Sequence, residues 1–486
     1  MDGAFSRKSI EQVVADSEGE RARMAPRFGI VSLTLFGIGT MIGIGIFVLT
    51  GQVAARMAGV GVIFSFAIGA GLCGCCALCY AELAAMAPVA GGSAYTFTYL
   101  TLGRLPAWLI AWDLVLEYLF GAAALSIAWS GYFQGLTHDL GLDWPAWLGQ
   151  APIRLDADRL VASGGVADFP AALLVLACGL LVMRGAGTVA RLGGLLVGLK
   201  LLVIGLVIAF GLARAHPAYW HPLVGAAEVS GGYSRYGWHG VIAGVGLIFY
   251  SYLGFDMIAT VGQEAHRPQR TIPIAIVGSL AACTLLYMLT ALTLTGLVPF
   301  RELDVAAPVH LAISRGGGAL AWLSPIVAIG GTVGLSSGVL AALFAQSRLL
   351  YALVRDTLLP AAFGAGRKGG RADPAILLSA LTAALLSAFV PITLLGEFVS
   401  AGTLLAMALV SGSVIYLRLT RPDAARPFRV PFWPLTAGVA MAGCLYFLVV
   451  MSATSWLRLL AWLLLGGLIY LARHVSRPHE PVAQVM

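Results

Sequence analysis

Residues 192–211 form a run of twenty in which Lys200 is the only polar side chain: Leu-Gly-Gly-Leu-Leu-Val-Gly-Leu-Lys-Leu-Leu-Val-Ile-Gly-Leu-Val-Ile-Ala-Phe-Gly. A run of that length crosses the hydrocarbon core of a bilayer as a helix. Lipid offers the backbone no hydrogen bonds, so such runs must satisfy their own N–H and C=O groups. Eleven more apolar runs fill most of the 486 residues. The fold class this dictates is all-α, a polytopic membrane protein. Lys200 lies roughly 14 Å along its helix, near the bilayer centre. A charge there costs at least ~2.5 kcal/mol on insertion scales and by default marks function. Lysine also differs from arginine in one respect: taken out of water, it can give up its proton. The chain has three lysines against 27 arginines and keeps one of them here. The implied activity is proton-coupled transport across a membrane.

The twelve spans fall near 28–50, 61–87, 106–134, 168–185, 191–213, 241–263, 273–298, 321–350, 375–395, 397–418, 433–452 and 455–473. With 11% charged residues the chain lies far from soluble proteins, where about a quarter are charged. The net charge of +7 comes from arginines that flank spans, with no basic cluster interleaved with aromatics. The partner is therefore the lipid bilayer and not nucleic acid. Residues 1–27 are polar and mixed, so no cleavable signal peptide is expected and the first span inserts as an anchor. With the N-terminus inside, 21 Lys and Arg lie on the cytoplasmic side and eight outside. The positive-inside rule then places both termini in the cytoplasm of a multi-pass protein of the cell (inner) membrane. The outside loop at 214–240 carries Tyr219, Trp220, Tyr233, Tyr236 and Trp238, as an interfacial aromatic belt does.

Cys73-Gly-Cys-Cys-Ala-Leu-Cys79 has a spacing that invites a metal, but no histidine or second cluster completes a site. The cysteines read better as small packing residues on a helix face. No metal and no cofactor is expected. All eight histidines lie in loops or near span ends, which argues against a histidine proton relay in the bilayer.

Span 1 contains Phe36-Gly-Ile-Gly-Thr-Met-Ile-Gly-Ile-Gly-Ile-Phe47. Glycines at this density weaken a helix and let its backbone groups turn toward a ligand. Exposed backbone survives at membrane depth only where it lines a cavity. Five spans later comes Phe249-Tyr-Ser-Tyr-Leu-Gly-Phe-Asp256, a second glycine-marked interruption. Two interrupted helices five spans apart are the mark of a five-plus-five inverted repeat with a midplane site. The expected organisation is a tail at 1–27, a first repeat at 28–213, a second at 241–418, and two further helices with a short tail at 433–486. The half-helix that starts after Gly45 points its positive end at the cavity, which suits a substrate carboxylate.

Several stretches match a family in order along spans 1 to 8. They are Gly39-Thr-Met-Ile-Gly-Ile-Gly-Ile-Phe-Val-Leu-Thr-Gly51, Tyr80-Ala-Glu-Leu-Ala84 with Gly91-Gly-Ser-Ala-Tyr95, and Leu116-Glu-Tyr118. Gly254-Phe-Asp-Met-Ile-Ala-Thr260, Arg267-Pro-Gln-Arg-Thr-Ile-Pro273 and Gln346-Ser-Arg-Leu-Leu-Tyr-Ala352 with Arg355-Asp356 follow. The chain resembles the amino acid–polyamine–organocation (APC) superfamily, and within it the cationic amino acid transporters and their bacterial relatives. The resemblance implies a LeuT-type fold that binds a free amino acid between helices 1, 3, 6 and 8. It also implies that Lys200, on helix 5, stands where sodium-coupled relatives hold an ion, making the proton the coupling ion.

The substrate site so implied comprises Ile42, Gly43, Ile44 and Gly45 on helix 1 and Tyr250, Ser251, Tyr252, Leu253 and Gly254 on helix 6, with Leu335 on helix 8. Backbone N–H groups at Gly43–Gly45 hold the carboxylate, and carbonyls of Ser251, Tyr252 and Leu253 hold the ammonium. Tyr250 is either a lid over substrate or aromatic packing. Relatives often carry a small or hydroxylated residue where Ile44 stands and Met-Thr-Thr where Leu335-Ser-Ser337 stands. A partly filled apolar pocket favours a small or medium neutral amino acid over arginine or lysine.

Lys200 reads as a proton carrier that bridges helices 1 and 8, against a permanently paired structural charge. Glu117 either balances Lys200, carries the proton itself, or satisfies orphaned donors of a broken helix. Asp113, at i−4 from it, reads as structural. Asp256 either pairs across an inner gate or caps the second half-helix. Arg348, Arg355 and Asp356 read as cytoplasmic anchors, and Glu82 and Glu264 as charges solvated at inner helix ends. The leading activity is proton symport of an amino acid. An exchanger, a carrier of cationic amino acids or polyamines, and a membrane amino acid sensor are the alternatives. Neither HExxH nor an in-membrane histidine supports an enzyme.

Overall fold

Each apolar run becomes one helix, and span 1 and span 6 become two pieces each. In this computed structural model, α1a is Ile30–Met41 and α1b is 45–58, followed by α2 (Val62–Met86), α3 (Arg104–Asp139), α4 (Phe169–Met183) and α5 (Ala186–Leu212). Then come α6a (Gly237–Ser251), α6b (Asp256–Thr260), α7 (Pro268–Leu297), α8 (Leu323–Arg355), α9 (Asp373–Phe389), α10 (Ile392–Thr420), α11 (Trp433–Val450) and α12 (Ala453–Ser476). The structure describes residues 6–9, 11–13, 28–88, 93–139, 141–156, 159–230, 233–305, 307–360, 363, 373–451 and 453–476. Gly91 and Gly92 of the second motif and most of the 1–27 tail lie outside the described residues.

Among the described residues, nine helical stretches have the length and hydropathy of a membrane span. The shorter apolar helices α1a, α4 and α9 bring the total to the twelve expected. The all-α reading holds, with one local departure. The long outside loops contain two small antiparallel hairpins, β1 (Ile153–Asp156) with β2 (Arg159–Ala162) and β3 (Glu228–Ser230) with β4 (Tyr233–Arg235). Their strands are too short for hydropathy to separate them from loop.

In the interior α3 packs along α8, α2 along α7 and α4 along α9, while α1a and α5 close over α7 and α8. α11 and α12 lie outermost, where Leu435, Val449 and Leu464 present their side chains outward, toward lipid in a membrane. The belt expected at 214–240 is only partly one. Trp238 and Tyr219 face out, but Tyr236 turns in and donates its hydroxyl to the Ala55 carbonyl at 2.7 Å. Trp220 likewise donates to Leu292 O at 3.1 Å. These bonds fasten the loop to α1b and α7.

The face that carries the N-terminal segment is held by charge. Lys8 Nζ lies 2.7 Å from Asp356 Oδ1 at the end of α8, and the Tyr95 hydroxyl donates to Oδ2 at 2.5 Å. Burial pushes the Asp356 carboxyl up, but Arg355 and Lys8 outweigh it and hold it at about 2. Glu82 and Glu264 depart from expectation, since neither is solvated. Glu82 is 1% exposed and takes hydrogen bonds from Arg418 Nε at 2.9 Å and from Arg418 Nη2 and the Val430 N–H, because the chain after α10 folds back over it. Arg426 Nε stands 3.3 Å from the same carboxylate. Glu264 is equally buried and pairs with Arg348 at 2.7 Å, while its carbonyl takes the Phe28 N–H at the start of α1a. Removing one partner of a buried ion pair leaves an uncompensated charge and costs about 3 kcal/mol or more. Glu82→Gln is therefore expected to lower the melting temperature of the solubilised protein by several degrees. An unchanged melting curve would show that water reaches this carboxylate.

Candidate functional site

The two helix breaks meet. α1a ends at Met41, Ile42 is extended (φ −74°, ψ 98°), and α1b restarts with the wide π-turns of Gly45–Leu49. α6a ends at Ser251, and the chain turns through Gly254 at φ +112°, a conformation side chains rarely adopt, before α6b starts at Asp256. Gly45 lies against Ser251 so closely that a Cβ on it would stand 2.5 Å from Ser251 Cβ. Thr40 Oγ1 donates across the breaks to Gly254 O at 2.9 Å. From α7, the Tyr287 hydroxyl reaches both the Met41 and the Ser251 carbonyls at 2.7 Å, sharing one proton between the two broken helices. Carbonyls freed by the breaks thus find donors on neighbouring helices, which exposed backbone at this depth requires.

Lys200 is fully buried beside the first break. Its ammonium donates to Gly39 O at 3.0 Å, Ile42 O at 2.8 Å and Ser337 Oγ at 2.9 Å. Three donors meet three neutral acceptors, two on helix 1 and one on α8. A cleft of about 300 Å³, lined by Phe28, Ser32, Gly39, Gly194, Val197 and Ser337, lies on the side of Lys200 nearer the N-terminal face. A second, of about 230 Å³ and lined by Phe47, Val203, Ile204, Thr290 and Val327, lies on the other side. The lysine and its acceptors separate the two.

Ionisable and hydroxyl groups around the breaks are unevenly satisfied. Asp256, the first residue of α6b, accepts from the Tyr118 hydroxyl at 3.0 Å. Both Glu117 oxygens are buried without a hydrogen-bond partner, and so is Ser251 Oγ. Glu117 is not among the partners of the Lys200 ammonium. Among the described residues no group of three or more His, Cys, Asp or Glu is placed to hold a metal. Cys76 on α2 instead meets Cys444 on α11, sulfur to sulfur at 3.6 Å.

A family model described as amino acid permease matches residues 28–464. The chain belongs to the amino acid permease family. It is similar to the methylthioribose transporter of Bacillus subtilis, 35% identical over 481 residues and 99% of both chains. It is also 36% identical to the branched-chain amino acid permease BcaP of Bacillus subtilis over 482 residues, again 99% of both. Cationic amino acid transporter 4 of Homo sapiens is 35% identical over 409 residues, 84% of this chain and 62% of that one. These proteins are transporters, not enzymes.

The permease brings most of its sequence-predicted site together. Ile42, Gly43, Ile44 and Gly45 form the first break, and Ser251, Tyr252, Leu253 and Gly254 the second. Two of the second set differ from expectation in their contacts. The Ser251 carbonyl, expected for a substrate ammonium, is already met by Tyr287, while its hydroxyl is unused. Tyr252 points away from the break, donating to Phe66 O of α2 at 3.0 Å. Leu335 is fully buried on α8, and Tyr250 is half-buried at the end of α6a. Sequence reasoning did not single out Thr40, Leu125, Tyr287 or Ser337 as site residues. The Leu125 side chain fits between Gly43 and Gly338, where a Cβ would approach it at 2.7 and 3.0 Å.

Proposed function

We propose that this permease imports a neutral aliphatic L-amino acid, small to medium and branched, by proton symport with alternating access. The observation that carries the reading is the Lys200 ammonium shared between helix 1 and α8. A charged lysine has a hydrogen for each of its three acceptors, whereas a neutral amine has two. Deprotonation frees one acceptor and loosens α1a from α8, on the side where the 300 Å³ cleft lies. Gain and loss of one proton thereby bias which cleft can reach the site.

The substrate carboxylate takes the N–H groups at the start of α1b, around Gly43, Ile44 and Gly45, which have no partner within the helix. Its ammonium takes carbonyls of the Tyr252–Leu253 turn and the free Ser251 hydroxyl. Tyr250 covers it, and Ile44, Leu125 and Leu335 form an apolar wall for the side chain. Glu117 is the second candidate proton carrier, and Asp256 sits at the positive end of α6b. The packing of α2 on α7, α3 on α8 and α4 on α9 supports two repeats, 28–213 and 241–418, around this site. Charge bias supports an N-terminal face in the cytoplasm of the cell membrane.

Branched substrates follow from the apolar wall and from similarity to a branched-chain permease. Methylthioribose, carried by an equally similar relative, has neither carboxylate nor ammonium and would leave the α1b N–H groups unmatched. The test is uptake into proteoliposomes without sodium, with and without an inward proton gradient. The panel is leucine, valine, alanine, arginine, lysine and methylthioribose. Leucine or valine accumulation that collapses with a protonophore is the expected result. Uptake that needs internal amino acid and ignores the gradient would make the permease an exchanger. Preference for arginine or lysine would overturn the apolar wall.

A further inference from the structure

Asp113 lies on α3 one turn from Glu117, about 6 Å nearer the N-terminal face, and is 1% exposed. A structural carboxylate needs donors, and it has none: neither Oδ1 nor Oδ2 has a hydrogen-bond partner among the described residues. Bare backbone meets it instead. Gly402 of α10 is so close that a Cβ there would lie 2.3 Å from Oδ1 and 2.6 Å from Oδ2. No charged side chain from α4, α8, α9, α10, α12 or the helix Ala94–Thr101, all packed on α3, acts on it among the described residues. Glu117 is its one ionisable neighbour, itself without a hydrogen bond. An ionised carboxylate is not stable in such a place unless water or a cation reaches it.

We propose that Asp113 exchanges a proton during transport and that its contact with Gly402 forms only for the neutral acid. When the proton leaves for water on the N-terminal side, the carboxylate needs solvation, and α3 and α10 part to admit it. When the proton returns, the helices close. The step is loss and gain of H⁺ by one carboxyl group, with no other reactant. It rests on the proton-coupled reading above and adds a second carrier to Lys200, one that senses the packing of α3 on α10. The glycine at 402 is then needed for the closed state, since any side chain there would displace the carboxyl.

The experiment uses the full chain in proteoliposomes, with leucine as probe and internal pH varied at fixed external pH. Asp113→Asn keeps the size and neutrality of the acid. It should melt close to the wild type yet lose the internal-pH dependence of uptake. Gly402→Ala leaves Asp113 in place but fills its notch, and should move the pH of half-maximal uptake. Should the first variant not fold, the second decides alone. A role in packing only predicts lowered melting temperatures with both pH profiles unchanged, and that result overturns the inference. A wild type indifferent to the proton gradient overturns the coupling reading and this inference with it. A coupled wild type beside a fully coupled Asp113→Asn overturns this inference alone.

Discussion

Lys200→Met is expected to abolish accumulation while leaving a folded, substrate-exchanging protein. Methionine fills a similar volume but donates nothing, so Gly39 O, Ile42 O and Ser337 Oγ lose their shared partner. Each buried acceptor left without a donor costs about 1–3 kcal/mol. Removing a buried ammonium also removes its desolvation penalty, which is several kcal/mol. The two offset, and a melting temperature within a few degrees of the wild type follows. Transport energetics do not offset. An inward gradient of one pH unit supplies about 1.4 kcal/mol per proton, enough to hold a roughly tenfold internal excess of a substrate carried one-for-one. Without a group that binds and releases the proton, the internal excess falls to none, while exchange of labelled for unlabelled substrate continues. A methionine variant that still accumulates leucine against its gradient would assign the proton elsewhere, to Glu117 or Asp113. A variant that neither exchanges nor accumulates would make Lys200 a fixed strut between helix 1 and α8.

Lys200 and both breaks were legible in the sequence for one physical reason. Lipid makes every unsatisfied polar group costly, so a lysine or a Gly-x-Gly in an apolar run is conspicuous. The same cost fixes the number and order of the spans. It says nothing about which way a helix faces. α7 and α8 are apolar nearly all round, and successive side chains differ by about 100° around the axis. Hydropathy therefore gives no sign that Tyr287 points at both breaks while the neighbouring Thr284 and Thr293 bond back to their own helix. Ser337 was visible in the sequence as one of a pair, and only the fold shows that it, and not Ser336, meets the lysine. Glu82 and Glu264 were misread because their partners are remote. Arg418 is 336 residues from Glu82, and depth in the bundle cannot be inferred from nearness to a span end. Asp113 was misread by the opposite route: a polar group near a helix end implied a partner that the fold does not supply.

Gly45→Ala is expected to give the other large effect, and it tests whether the two breaks stay in contact in the working protein. The added methyl would stand 2.5 Å from Ser251 Cβ, 2.8 Å from its Oγ and 3.0 Å from its Cα. The Oγ can rotate away, but the Cβ and Cα move only with the backbone. Helix 1 and helix 6 must then separate at the point where substrate is proposed to lie. Overpacking of this kind costs about 1–3 kcal/mol, a fivefold to 150-fold loss if it falls on substrate affinity. KM for leucine is expected to rise in that range while protein level stays near normal. Gly71→Ala on α2 is the control, since nothing lies within 4 Å of its added carbon. It gains helix propensity and should be neutral or slightly stabilising. The decisive variant combines Gly45→Ala with Ser251→Gly, which removes both atoms that cannot otherwise be cleared. Recovery of affinity in the double variant would show that steric contact between the breaks is the cause. If the double variant is as poor as the single one, the Ser251 hydroxyl is itself a substrate ligand. That outcome would fit its place as a buried hydroxyl with no partner in the protein.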